Sequence, residues 1–148
     1  MNSTARVLLI ALLLASTTAF AQVRTATIFL VPWEIETRSA LGPSKVREYA
    51  LVKTVIFEKH LAQSLLKWLT SESFNPPEVN PPLNFRLVID FTLEDGSVES
   101  YYANRQTLLE KRSGKVRSID EEFRSRFSFF LIPSNIPLQR DAPQAARP

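Results

Sequence analysis

The sequence predicts an α+β domain, a mostly antiparallel sheet of five to six strands with two amphipathic helices packed on one face, behind a cleaved signal peptide. Three stretches carry this reading. Phe85, Leu87, Ile89, Phe91 and Leu93 alternate with Arg86, Val88, Asp90, Thr92 and Glu94 ahead of Asp95-Gly96, which predicts a hairpin from Phe85 to Ala103. Phe57, Leu61, Leu65 and Leu69 recur at four-residue steps, the period of a helix with one apolar face. Finally, Arg6, the apolar run Val7 to Ala15 and Ala19-Phe20-Ala21 have the layout of an export signal cut before Gln22.

Removal of residues 1–21 would leave 127 residues, enough for one core and too few for two comfortable domains. One domain is therefore expected over residues 22–132, followed by a disordered Pro-rich tail over 133–148. The leader's apolar run falls far short of the roughly 20 residues that span a bilayer, and no later stretch is longer, so no retained membrane span is expected. An uncleaved signal anchor is the alternative. The chain has no Cys, so export brings no disulfides and stability must come from packing. Loss of Arg6 leaves 17 basic residues interleaved with 15 acidic ones, without the basic run that a nucleic-acid partner would need.

Thr25 to Val31 is apolar and β-branched on both faces, as in a strand inside a sheet, and Pro32 should end it. Arg38 to Ser44 reads as a turn through Gly42-Pro43. From Lys45 to Phe74 two readings compete. As one helix the stretch would put Val52 and Ile56 beside Lys59 and Gln63, which spoils the apolar stripe. The β-branched cluster Val52, Thr54, Val55, Ile56 favours a strand over Glu48–Ile56, then a helix over Phe57–Glu72.

Asn75 to Asn84, with its two Pro-Pro pairs, predicts a stiff extended connection, and the PxxP spacing of an SH3-type ligand is absent. In the hairpin, a two-residue turn at Asp95-Gly96 sets Leu93 opposite Val98, Phe91 opposite Ser100 and Ile89 opposite Tyr102. Tyr102 then points into the core and Tyr101 outward. A second strand pair, Thr107–Lys111 and Lys115–Arg117, turns around Ser113-Gly114. Ser118-Ile119-Asp120-Glu121 has the form of a capping box opening a last helix, whose stripe is Ile119, Phe123, Phe127, Phe130 and Leu131.

Chemistry is sparse. With one His and no Cys, thiol nucleophiles and Cys or multi-His zinc sites are excluded. His60 and Ser64 stand one turn apart, but no nucleophile-elbow motif accompanies them. Gly42, Gly96 and Gly114 are all in turns and make no phosphate-cradling loop. No cofactor is expected. Asp90 and Glu99 are diagonal neighbours in the expected register, a spacing that a glycosidase-like hydrolase could use, although the solvated face of a hairpin is ordinarily acidic anyway. Aromatic and arginine side chains mark binding hot spots. Tyr101, Arg86, Asp90, Glu99 and Trp33 are accordingly the candidate binding residues. The expected function is a small exported binding module of the cell envelope or extracellular space, possessing no catalytic group and open to a protein partner; a hydrolase working through acidic residues is the alternative.

Overall fold

The computed structural model of the chain describes residues 22–76 and 82–131. The leader, residues 77–81 of the proline-rich connection and the tail from residue 132 lie outside the described residues, as do the expectations made for them.

Six strands form one antiparallel open sheet in the order β2-β1-β3-β4-β5-β6. They are β1 (Val23–Leu30), β2 (Val52–Ile56), β3 (Leu87–Leu93), β4 (Val98–Ala103), β5 (Thr107–Glu110) and β6 (Val116–Ser118). Three helices accompany them: α1 (Pro43–Tyr49), α2 (Lys59–Leu69) and α3 (Glu121–Ser128), the last running into a 3-10 turn at Phe129–Leu131. As expected, β1 is interior, paired to β2 on one side and β3 on the other. The strand-then-helix reading of the Lys45–Phe74 stretch holds from Val52, where β2 runs through its β-branched residues, but Glu48 and Tyr49, expected in the strand, belong to α1.

The two amphipathic helices share one face. Ala62, Leu65 and Leu69 of α2 and Phe123 and Phe127 of α3 close over Ala26, Ile28, Leu87, Ile89 and Phe91. Trp68 binds the two helices together by stacking on Phe123 at 4.7 Å between ring centroids and on Phe130 at 5.6 Å. Burial of aromatic side chains on this scale supplies several kcal/mol beyond what the helices' own hydrogen bonds contribute.

The opposite face holds a second, smaller core. Val46 of α1 packs there with Val31, Leu41, Phe85, Val88, Tyr102, Leu109 and Val116. Gly42-Pro43 does not make a simple turn. Gly42 is the N-cap and Pro43 opens α1, where its missing N–H and fixed φ cost nothing. The sheet is therefore apolar on both sides at this end, which explains why β3 buries Val88 as well as its alternate residues.

The hairpin is shifted by one residue from the expected register. Thr92 pairs with Val98, Phe91 with Glu99, Asp90 with Ser100 and Ile89 with Tyr101. Leu93 N–H donates to Ser97 O at 2.9 Å and Gly96 N–H to Leu93 O at 3.0 Å, so the loop has three residues, Glu94 to Gly96. Of these only Gly96 has positive φ, at 82°, the geometry of a turn closed by a glycine bulge rather than of a two-residue type I′ loop. The Asp95 carboxylate accepts from both Ser97 N–H and Ser97 Oγ, which holds the wider loop shut. Because side chains alternate with period two, the slip sends Tyr101 to the helical face and Tyr102 to the other.

Two helix starts also differ. α2 begins at Lys59, since the β2 ladder consumes the chain through Ile56; Phe57 therefore sits outside the helix, 74% exposed, instead of on its stripe. In α3 the N-cap is Asp120, whose carboxylate accepts from Phe123 N–H at 2.7 Å, while Ser118 belongs to β6 and pairs with Thr107. One turn apart on α3, Glu122 and Arg126 form an ion pair at 2.5 Å.

Candidate ligand-binding site

One end of the sheet gathers a set of polar side chains with no carboxylate among them. Leu30, Leu87, Ala103 and Leu108 lie in register across β1, β3, β4 and β5, so three connections emerge side by side: the β1–α1 loop, the segment entering β3, and the β4–β5 turn. Connections held by a rigid sheet are where a protein can place polar groups without disturbing its core.

Arg86 is the centre of this end and is 3% exposed. Its backbone continues the ladder, N–H to Ala103 O at 2.8 Å and O from Val31 N–H at 2.8 Å, which fixes the side chain's origin. The guanidinium donates Nη1 to Asn84 Oδ1 at 2.6 Å and Phe85 O at 3.2 Å, and Nη2 to Ile35 O at 3.2 Å and Thr37 Oγ1 at 3.3 Å. All four acceptors are neutral, and the buried Nε has no partner among the described residues. Burial, followed by repulsion from the Arg105 charge, holds the Arg86 pKa below its ordinary value.

Asn84 makes the approach possible. It sits at φ 63°, the left-handed region that Asn tolerates better than most residues. Its Oδ1 accepts from Leu41 N–H as well as from Arg86, and Phe85 N–H donates to Leu41 O, which ties the loop before α1 to the start of β3. In the β4–β5 turn, Asn104 Oδ1 accepts from the backbone N–H groups of Gln106 and Thr107 at 2.8 and 2.7 Å. Arg105, at the tip, donates Nε to Trp33 O at 2.7 Å, and its own carbonyl accepts from Arg124 of α3. Leu83, Asn84, Arg86, Asn104, Arg105 and Gln106 line a cavity of about 200 Å³.

Of the sequence-predicted residues, Arg86 and Trp33 are brought to this end, Trp33 through its carbonyl. The other three are elsewhere. Tyr101 does not stand outward: it is 3% exposed, edge-on to Phe91 at 5.8 Å, and burial, then Glu110 and Glu99, push its phenol pKa upward. Asp90 lies under α1, where Arg47 Nε and Nη2 reach its two oxygens at 2.9 and 2.8 Å and Ser100 Oγ donates at 2.7 Å. Glu99 is opposite Phe91 and thus on the other face from Asp90, with Arg112 at 3.9 Å. The carboxylate pair expected from the sequence does not share a face. His60 and Ser64 are both exposed on α2.

A second concavity, of about 230 Å³, lies between the end of α2, β6 and the start of α3. Both of its cations are paired with carboxylates, Arg117 with Glu72 at 2.7 Å and Arg126 with Glu122, while Asp120 caps α3. Arg117 is as buried as Arg86 and lies over the Phe74 and Phe123 rings, but it has a carboxylate partner, whereas Arg86 has none among the described residues. That contrast singles out the Arg86 end. Among the described residues no group of His, Cys, Asp and Glu is clustered to hold a metal ion, and no helix is long and apolar enough to cross a membrane. A scan against protein-family models gave no match, and searches of curated proteins and of solved structures gave no significant match.

Proposed function

We propose that the protein is a binding module working outside the cytoplasm, and that it holds an envelope component at the loop-built end of its sheet through Arg86 and Arg105. The observation that carries this reading is the pair of guanidinium groups at one cavity, neither with a carboxylate partner among the described residues. Burying a cation against neutral acceptors alone is costly; its four hydrogen bonds within the fold offset part of that cost, and an anion held at the cavity would offset more. Export rests on the leader. Cleavage before Gln22 is compatible with the fold, because Gln22 O already accepts from Glu94 N–H and β1 begins at the next residue.

The test combines fractionation with quantitative retention. The chain is expressed with its leader, the exported product is sequenced from its N-terminus, and its sedimentation with isolated envelopes is compared for wild type, Arg105→Ala and, as a surface control, Arg112→Ala. A mature start at Gln22 and retention lost only in Arg105→Ala is the expected result. A product that keeps Met1 in the cytoplasm, or retention indifferent to Arg105, defeats the proposal.

A further inference from the structure

We infer that the cavity between Asn84 and Arg105 is a phosphate site, taking the phosphoryl group of a phosphomonoester. The inference rests on the binding reading above and names the chemistry of its ligand.

The first ground is the inventory of hydrogen-bonding groups that remain for a ligand. Both asparagine side chains at the cavity have their oxygen committed: Asn84 Oδ1 to Leu41 N–H and Arg86, Asn104 Oδ1 to Gln106 and Thr107 N–H. Backbone N–H groups can only donate, so these contacts fix which way each amide points. What is left is the amide NH₂. Asn104 Nδ2 makes one long contact, 3.4 Å to Leu83 O, and Asn84 Nδ2 makes none among the described residues. Arg105 spends Nε on Trp33 O and keeps both terminal nitrogens, while Arg86 keeps a buried Nε. The donors that face the cavity are thus Asn84 Nδ2, Asn104 Nδ2 and the terminal nitrogens of Arg105, with the Gln106 amide able to turn its NH₂ toward an occupant and the Arg86 charge held behind them, a lining that suits an oxyanion.

Charge narrows the class. Two arginines lining one cavity present +2, with no carboxylate paired to either among the described residues. A carboxylate would neutralise half of this. A phosphomonoester carries about −1.5 to −2 at pH 7, which matches the charge, and three acceptor oxygens, each of which can accept from more than one donor. The cavity of about 200 Å³ admits one such group.

Nuclear magnetic resonance on the exported protein tests this, following the Arg86 Nε–Hε signal and the amides of Arg105 to Thr107. Inorganic phosphate is titrated against acetate at equal ionic strength. The expected result is saturable shifts confined to these signals, at least tenfold tighter for phosphate, weakened tenfold or more in Arg105→Ala and unchanged in Arg112→Ala. Affinity should fall as pH drops below about 6, where the phosphate dianion takes up a proton. Arg105→Lys, which keeps the charge without the planar fork, should fall between and covers the case of an alanine variant that disturbs the turn. Flotation with phosphatidylcholine vesicles, with and without phosphatidic acid, separates a phosphomonoester on a membrane surface from a soluble one. Phosphate binding no tighter than acetate, or binding that Arg105→Ala leaves intact, overturns the inference. If Arg105→Ala abolishes envelope retention while phosphate fails to bind, the ligand class is wrong and the binding reading stands. If phosphate binds and retention is indifferent to Arg105, the reverse holds.

Discussion

Replacing Asp90 with Asn should destabilise the domain by about 1.5 kcal/mol without touching ligand binding. Asp90 accepts two hydrogen bonds from Arg47 and one from Ser100, with side-chain exposures of 31% for Arg47 and 19% for Asp90. A hydrogen bond to a charged group contributes about 1.5–3 kcal/mol net, and breaking a fully buried pair costs about 3–5 kcal/mol. Here Arg47 is partly solvated and can return to water, and Asn keeps one oxygen for Ser100, so the lower end applies. For a domain of about 100 residues this corresponds to a fall in Tm of roughly 6 °C. Burial tends to raise the Asp90 pKa, but the hydrogen bonds from Arg47 and Ser100 outweigh it and leave it below the ordinary value. A carboxyl depressed in the fold stabilises fully above its unfolded pKa, about 3.9, and this contribution is lost as pH falls through the folded value. Urea unfolding of wild type and Asp90→Asn from pH 7 down to pH 2 should give a difference that is constant above about pH 5 and shrinks below pH 4. Arg47→Met and the double variant complete a cycle whose coupling should be about 1 kcal/mol. A difference independent of pH, or a coupling near zero, would refute the assignment of Asp90 to anchoring α1. Loss of phosphate binding in Asp90→Asn would instead return it to the binding site.

Two further substitutions separate backbone from packing effects. Gly96→Ala meets no atom within 4 Å of the new Cβ, so its cost is that of positive φ alone, about 1–2 kcal/mol, with Gly96→Asn milder; chemical denaturation decides, and a neutral Gly96→Ala would mean that position 96 does not need positive φ, against the glycine-bulge turn. Arg117→Met should stay within about 1 kcal/mol of wild type, because Met fills the slot between Phe74 and Phe123 and removes a buried cation whose partner Glu72 is 69% exposed. Arg117→Ala should lose about 2 kcal/mol or more through the void it leaves, and equal losses in the two variants would mean that the ion pair, not the stem, stabilises this corner.

Alternation and helical period were enough to place Leu87, Ile89, Phe91, Leu65, Leu69, Phe123 and Phe127 in one core, since each sits on an element whose face is set by its own residues. Where the sequence admitted two local solutions, a distant contact chose between them. Asp95-Gly96 suits both a two-residue loop and a three-residue loop with a glycine bulge, and Ser97, reaching back to Asp95, favours the longer one. Ser118 and Asp120 both precede a helix by a cap's spacing, and the pairing of Ser118 with Thr107 left Asp120 to act. Gly42-Pro43 is a turn signal and equally the start of a helix, and only the apolar patch on the far side of the sheet gives Val46 something to bury against. The candidate site shows the same division. Arg86 was legible as an arginine on the polar side of the expected hairpin, a residue type found at binding hot spots, but not as a buried one. Its acceptors, Ile35 and Thr37, lie 51 and 49 residues away, and no local pattern predicts them. Tyr101 was misplaced by the one-residue slip alone.

The two buried arginines convert this into a thermodynamic test. Arg117 and Arg86 are 5% and 3% exposed, and each leaves Nε unpaired, so their desolvation costs are comparable. Glu72 offsets that cost for Arg117 within the fold. If a bound phosphate does the same for Arg86, it must also stabilise the folded state, by RT ln(1 + [L]/Kd), about 2.7 kcal/mol at a hundredfold excess over Kd. Calorimetry in phosphate against acetate at equal ionic strength should therefore raise the Tm of wild type and of Asp90→Asn by the same amount and leave Arg105→Ala where it was. A phosphate-dependent rise that survives in Arg105→Ala would locate the stabilising anion elsewhere, and with it the reason for keeping an unmatched guanidinium at this end of the sheet would be gone.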